Sequence, residues 1–390
     1  MIKLKTFIAV LFTTVLTYFS SQAQKETQKT DYSHYSTKTT IFSDKTTINF
    51  KKGGDIFKIE YKGALKISED DRGIVSISKK GYLILIEYKN NRSKSIKHRI
   101  TIESRRGNKI VNYFEGSSKK DYYSDGRKWL ASVLPTIVKN TPVGMKSRIA
   151  RFYKTGGANK VVSEIKYNIN DHHTKAMYLK ELLKYNCSAN EIIKIAETAG
   201  SEIKSNSGLA RFLKENQNSF LVNDKTVIAY VKAAGKIRSN SNLASVASSM
   251  VNNRRISDKW LSNIAVLAKK INSSVELGTV VKKIVANRTL NNENIETILK
   301  LSKEIESNSA LVTIYKKIGR SSTVLSDDQL IKILSAIPEY IQSPSNLSET
   351  LITFSHKVKK SSEKVKEAYR KAAKHISSSS NYSKVMKALY

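Results

Sequence analysis

Cysteine, proline and acidic side chains are all scarce in this chain, and each shortage closes off a class of protein. A single cysteine, Cys187, in 390 residues cannot form an internal disulfide and leaves no spacing for a metal or redox centre. A disulfide-stapled scaffold is thereby excluded, and the thiol reads as a small buried residue between two helices. Four prolines and 16 glycines are too few for a collagen-like or low-complexity chain. Beyond the N-terminal region no stretch stays apolar for the roughly 18 residues that a membrane-spanning helix requires. With 40% hydrophobic residues the chain can build a sizeable core and does not read as disordered.

Catalytic signatures are missing as well. There is no His-Glu-x-x-His, no Gly-x-Ser-x-Gly, no phosphate-cradling glycine loop and no calcium loop. Gly156-Gly157 reads as a helix stop, not a dinucleotide fingerprint. Asp171-His172-His173 is the one local cluster of metal-ligating types, but Asp171 sits where a helix needs a cap and adjacent histidines diverge around the wheel. Glu69-Asp70-Asp71 reads as a solvated turn. No catalytic residue, metal or cofactor is therefore expected. An enzyme of unfamiliar type would need a cleft between the two halves of the chain, near Trp129, with convergent polar groups.

What is present starts with an export signal. Lys3 and Lys5 precede an apolar run over 7–19 and then Ser20-Ser21-Gln22-Ala23-Gln24. A cationic start, a short hydrophobic stretch and small residues before a cut make a secretory signal peptide. We place it at 1–23, with a polar linker at 24–33. The mature protein is then exported, to the periplasm or beyond, with no stable membrane insertion after cleavage.

Export reframes the charge. The 68 Lys+Arg and 33 Asp+Glu give +35, and losing Lys3 and Lys5 leaves +33. Nucleic acid is scarce outside the cytoplasm, and neither a recognised module nor basic residues interleaved with aromatics appear. No nucleic-acid partner is expected. A protein or an anionic envelope component is, since a basic surface attracts either through the same field. Oligomeric state is left open.

Two periods divide the mature chain. Over 34–116 the apolar residues alternate: Phe57, Ile59 and Tyr61, then Ile100 and Ile102, with 82–86 a continuous run that reads as a central strand. Turn signals separate the runs at Lys52-Gly53-Gly54, Lys79-Lys80-Gly81, Asn90-Asn91 and Arg105-Arg106-Gly107-Asn108. This predicts a small antiparallel β domain, sandwich-like or one strongly twisted sheet. A helical segment follows at 117–168. Pro135 should kink its first helix, and Thr141-Pro142 reads as a cap with proline at the first helical position.

From 169 to 390 the chain repeats. Ile169, Ile203, Ile237, Ile271, Ile305, Ile341 and Ile376 are spaced by 34, 34, 34, 34, 36 and 35 residues. Two positions after each stands Asp171, Ser205, Ser239, Ser273, Ser307, Ser343 or Ser378, the side-chain oxygen an N-cap requires. Leu209, Leu243, Leu277, Leu311 and Leu347 lie six residues after the isoleucine. Leu182, Met250, Ile284, Ile318, Phe354 and Leu389 lie thirteen after it, on the same side of a helical wheel. Second helices begin at the capping boxes Ser188/Glu191 and Ser326/Gln329 and at Asn223, Ser257, Asn291 and Ser361. A helix hairpin of about 34 residues cannot bury its stripe alone, so the units stack into an α-solenoid. We expect six repeats and a terminal half-repeat, within an α+β, multidomain chain.

These units resemble a class of exported or membrane-attached bacterial proteins with tandem helical repeats of the form Ile-x-Ser-Asp-Tyr-Glu-Lys. Ile169-Asn170-Asp171 through Tyr178-Leu179 looks like its opening unit. Asp125-Gly126-Arg127-Lys128-Trp129 with Arg148, Arg151 and Gly156-Gly157 looks like the region before it. The resemblance implies a β-rich N-terminal domain and an envelope location, and carries no assigned chemistry.

One recurrence exceeds packing. Eleven residues after the isoleucine stand Lys180, Lys214, Lys282, Lys316 and Lys387, with Ser248 and Ile352 as exceptions. The position lies roughly 150° from the apolar direction on the wheel, so stacking would align a cationic column. Lysine abundance on an outward position is the plainer account of the same pattern. The leading function is a non-enzymatic scaffold that presents a basic solenoid surface to a protein or anionic envelope partner. The alternative is an envelope polysaccharide- or peptidoglycan-binding protein, which exposed tyrosines grouped on one β face, among Tyr61, Tyr82, Tyr88 and Tyr113, would favour.

Overall fold

The computed structural model describes residues 35–42, 45–88, 95–106 and 108–390. The expected signal peptide and linker, and the turn at Asn90-Asn91, lie outside them. The chain divides into two compact units: the described part of Met1–Gly63 with Lys79–Gly126, and Ala64–Ser78 with Arg127–Tyr390.

The first unit is an antiparallel sheet built from β1 (Tyr35–Phe42), β2 (Lys45–Lys52) and β3 (Asp55–Lys62). After the excursion carrying β4 (Leu65–Ile67) and β5 (Ile74–Ile77), the sheet resumes with β6 (Tyr82–Tyr88), β7 (Ile96–Arg105), β8 (Asn108–Glu115) and β9 (Ser118–Lys120). The order is β1-β2-β3-β6-β7-β8-β9, one continuous sheet with β6, the apolar run, at its centre. Register explains the alternation. Ile48, Ile59, Leu85, Ile100 and Tyr113 lie opposite one another across five strands, and each is 1% exposed or less. A one-residue slip would turn this whole row to the other face. Gly116 does not end the sheet as expected. At φ 60° it makes the tight turn that pairs Glu115 with Ser118, a backbone state only glycine adopts freely.

The β4–β5 hairpin belongs with the helices. Its Ile67 N–H donates to Ser147 Oγ at 3.1 Å. Gly144, at φ 68°, lies so close to Ile67 that a Cβ there would fall 2.1 Å from its Cγ1. Helix α1 (Arg127–Asn140) contains Pro135, and α2 (Met145–Tyr167) begins after Gly144. Thr141-Pro142 therefore does not open a helix. The Thr141 hydroxyl instead donates to Ile137 O at 2.8 Å and Pro142 O accepts from Met145 N at 3.1 Å, a turn. Within α2 the backbone breaks at Gly156-Gly157, as expected, with Gly157 at φ 59°, ψ −159°.

The repeats follow as α3 (His172–Leu182), α4 (Ala189–Glu202), α5 (Asn206–Glu215), the short α6 (Gln217–Phe220) and α7 (Asp224–Ala234). Next come α8 (Asn240–Asn252), α9 (Leu261–Ala268), α10 (Ser274–Asn287), α11 (Asn292–Ser302) and α12 (Asn308–Gly319). The last are α13 (Asp327–Tyr340), α14 (Pro344–Ile352), the short α15 (Ser355–Lys359), α16 (Glu363–Ala373) and α17 (Ser379–Leu389). First helices α3, α5, α8, α10, α12, α14 and α17 stack on one another; so do second helices α4, α7, α9, α11, α13 and α16. The seven isoleucines and both sets of recurrent apolar residues are all buried.

Six of the seven anticipated first-helix caps accept a backbone N–H: Asp171, Ser205, Ser239, Ser273, Ser307 and Ser378. Ser343 holds the N-cap position without that bond, with Pro344 following it. Among second helices, both predicted capping boxes form, while the last N-cap is Ser362 and not Ser361.

Candidate interaction surface

The surface rests on a charged knot where the repeats begin. Arg148, on α2, is 1% exposed. Its guanidinium donates to both Asp71 oxygens at 3.0 and 2.7 Å, to Glu164 Oε1 at 2.7 Å and to the Tyr178 hydroxyl at 2.5 Å. Arg151 adds a 2.9 Å bond to Asp71 and one of 2.6 Å to Ser68 O. Asp71, at φ 60°, is thus no solvated turn residue; it is seated between two arginines. Burial works against the Arg148 charge, but Tyr178, Asp71 and Glu164 outweigh it and hold the group protonated. Burial also pushes the Tyr178 hydroxyl up to about 12. The knot ties the hairpin, α2 and the first repeat helix into one body.

The five lysines of the column all lie on first helices. Lys180, Lys214, Lys282 and Lys387 are exposed and Lys316 is half-buried. Neighbouring units partly neutralise them: Lys180 reaches Glu215 at 2.7 Å and Lys316 pairs with Glu349. Lys214 donates to Ser245 Oγ at 2.8 Å. Exposed pairs of this kind contribute little to stability, about 0–1 kcal/mol.

A second series was not anticipated from the sequence. The residue just after the N-cap receives or donates across the unit boundary. Asn206 Oδ1 accepts from Arg238 N at 2.7 Å, Asn240 Oδ1 from Asn272 N at 3.0 Å, and Ser274 Oγ from Glu306 N at 3.1 Å. His172 Nδ1 meets Glu202 O at 2.9 Å in the equivalent place, which gives that histidine a structural use. Arg288 is a further missed residue. It donates to Ile256 O, Val251 O and Asn253 O at 2.5, 2.6 and 2.8 Å, supplying a cation to the carbonyls that end α8. The repeating Asn and Ser at these positions were visible; their partners 32 residues on were not.

Where Ser248 interrupts the lysine column, the face opens into a groove of about 350 Å³. Ser241, Ser245, Ser248 and Asn252 form one wall on α8, at helical spacing; Glu276, Thr279 and Lys283 form the other on α10. Lys214 reaches in from the preceding unit. The lining is rich in hydroxyls and carries two ammonium groups and one carboxylate.

The remaining singled-out residues are dispersed. Among the described residues no group of three or more His, Cys, Asp or Glu is placed to hold a metal; Asp171 is engaged in capping Thr174. Cys187 is half-buried, with its thiol pushed up to about 11 by burial. Tyr61 and Tyr113 lie on the buried sheet face and Tyr82 and Tyr88 on the opposite one, so the tyrosines do not group. No helix among the described residues is long and apolar enough to cross a membrane. No protein-family model matches the chain, and neither does any curated protein.

Proposed function

We propose that the protein is an exported, non-enzymatic scaffold whose basic helical array presents its first-helix face to a protein or anionic envelope partner. The observation that carries this reading is the column of Lys180, Lys214, Lys282, Lys316 and Lys387, one lysine per unit on five first helices of the stack. Stacked repeats offer extended surfaces, and cations that recur along one suit an extended acidic partner. The charge supports it: the chain after the expected cut carries +33, about +24 of it beyond residue 126. The resemblance to exported bacterial repeat proteins agrees with an envelope location.

The test is retention of acidic envelope components by the immobilised mature chain, read by crosslinking from envelope extracts at increasing salt. Reversing all five lysines to glutamate should abolish retention, and retention should fall as salt rises. Undiminished retention by the reversed protein would overturn the reading. Export is tested separately by sequencing the N-terminus of the mature protein, which should begin at Gln24.

A further inference from the structure

The groove between α8 and α10 exposes on its floor a serine hydroxyl that makes no hydrogen bond within the described chain. Ser248 is 4% exposed and lines the groove, and its hydroxyl has no hydrogen-bond partner among the described residues. A helical serine that does not bond back to the carbonyl four residues earlier points its hydroxyl away from the helix, here into the groove. On the groove surface that hydroxyl is available to a group that enters from outside.

The surroundings define that group. Lys214 spends one N–H on Ser245 Oγ, which leaves two for a ligand and leaves the Ser245 proton free to donate. Lys283 makes no ion pair among the described residues. The Lys214 and Lys283 ammonium groups beside the hydroxyls of Ser245 and Ser248 fit a carboxylate. Glu276 lies two turns before Lys283 on α10, roughly 10 Å along the helix, so the groove is cationic at one end and anionic at the other. A uniformly charged polyanion would set a phosphate or sulfate against Glu276. A peptide would not, since its backbone N–H groups can donate there.

We infer that this groove binds an acidic peptide segment. One side-chain carboxylate takes the Ser248 hydroxyl and the Lys214 and Lys283 ammonium groups, while peptide N–H groups face Glu276. The assignment rests on the reading of the helical array as an interaction surface and names the partner's chemistry at one point on it. It also gives the break in the lysine column a use, because a lysine at 248 would fill the groove.

The probe is a fluorescent peptide of alternating Glu and Gly, titrated against the full chain and followed by anisotropy. Ser248→Lys adds a positive charge yet blocks the groove, so binding should weaken at least about tenfold, whereas non-specific attraction would strengthen. Ser248→Val, similar in size but without the hydroxyl, guards against a misfolded lysine variant. It should weaken binding about tenfold, the loss of one hydrogen bond to a charged group. Wild-type affinity in both variants, or tighter binding by Ser248→Lys, would overturn the assignment. So would preference for a heparin-like polysulfate over the peptide. Reversal of Lys180, Lys316 and Lys387, which lie outside the groove, separates the two readings. If that reversal abolishes binding and the Ser248 variants do not, the surface reading stands and the groove assignment falls.

Discussion

Arg148 brings one positive charge to a place that water barely reaches and meets two carboxylates there, Asp71 and Glu164, with side-chain exposures of 16% and 9%. Such an assembly is costly to break from one side, because the partners are left charged and unpaired. Arg148→Leu should lower unfolding free energy by about 3–5 kcal/mol, measured as a shifted urea midpoint. Adding Asp71→Asn to that variant should restore part of the loss; additive losses would show that the two residues do not act together. The knot was only half legible. The arginines were conspicuous near the start of the repeats, but Asp71 lies 77 residues away from Arg148 in what reads as an acidic turn. No local pattern announces a partner at that distance. Cys187, by contrast, needed only its solitude to be read, although it is half-buried and not fully enclosed.

At the scale of the element, local chemistry was readable because its consequences are local. An N-cap acts on an N–H three residues away, so Ser and Asp two positions after each isoleucine could be assigned directly. Failures came where two local rules competed. Thr141-Pro142 has the composition of a helix start, yet the left-handed Gly144 and the packing of Ile67 against it set the start at Met145. The caps also differ in worth. Ser239 accepts from Asn242 N, whereas Ser343 makes no such bond. Ser239→Ala should cost about 1 kcal/mol and Ser343→Ala only a few tenths. Equal losses in thermal melts would remove the distinction. The ladder formed by Asn206, Asn240 and Ser274 shows what periodicity leaves out: a repeat reveals which positions recur, but not which of them reach the next unit.

For the whole molecule, buried phenols set a limit in alkali. Tyr113, Tyr178, Tyr230, Tyr315 and Tyr369 are all essentially unexposed, and burial raises the ionisation of each above its usual range. The folded chain therefore keeps protons that the unfolded chain releases above about pH 10. Stability is unaffected below that value and falls as pH climbs past it, since the native state then binds more protons than the unfolded one. Tyrosinate absorbance and loss of helical circular dichroism should rise together in an alkaline titration. Absorbance that rises through an intact helical signal would show these phenols to be accessible.

The β4–β5 hairpin has a consequence for cutting the chain. Because Ala64–Ser78 belongs to the helical unit while the segments on both sides of it belong to the sheet, the backbone passes between the units at 63/64, at 78/79 and at 126/127. A protease that nicks the last of these crossings would leave the N-terminal fragment holding the hairpin, with Asp71 still gripped by Arg148 and Arg151. The two fragments should then migrate as one particle under native conditions and separate only in denaturant. Neither unit can be released whole by a single incision.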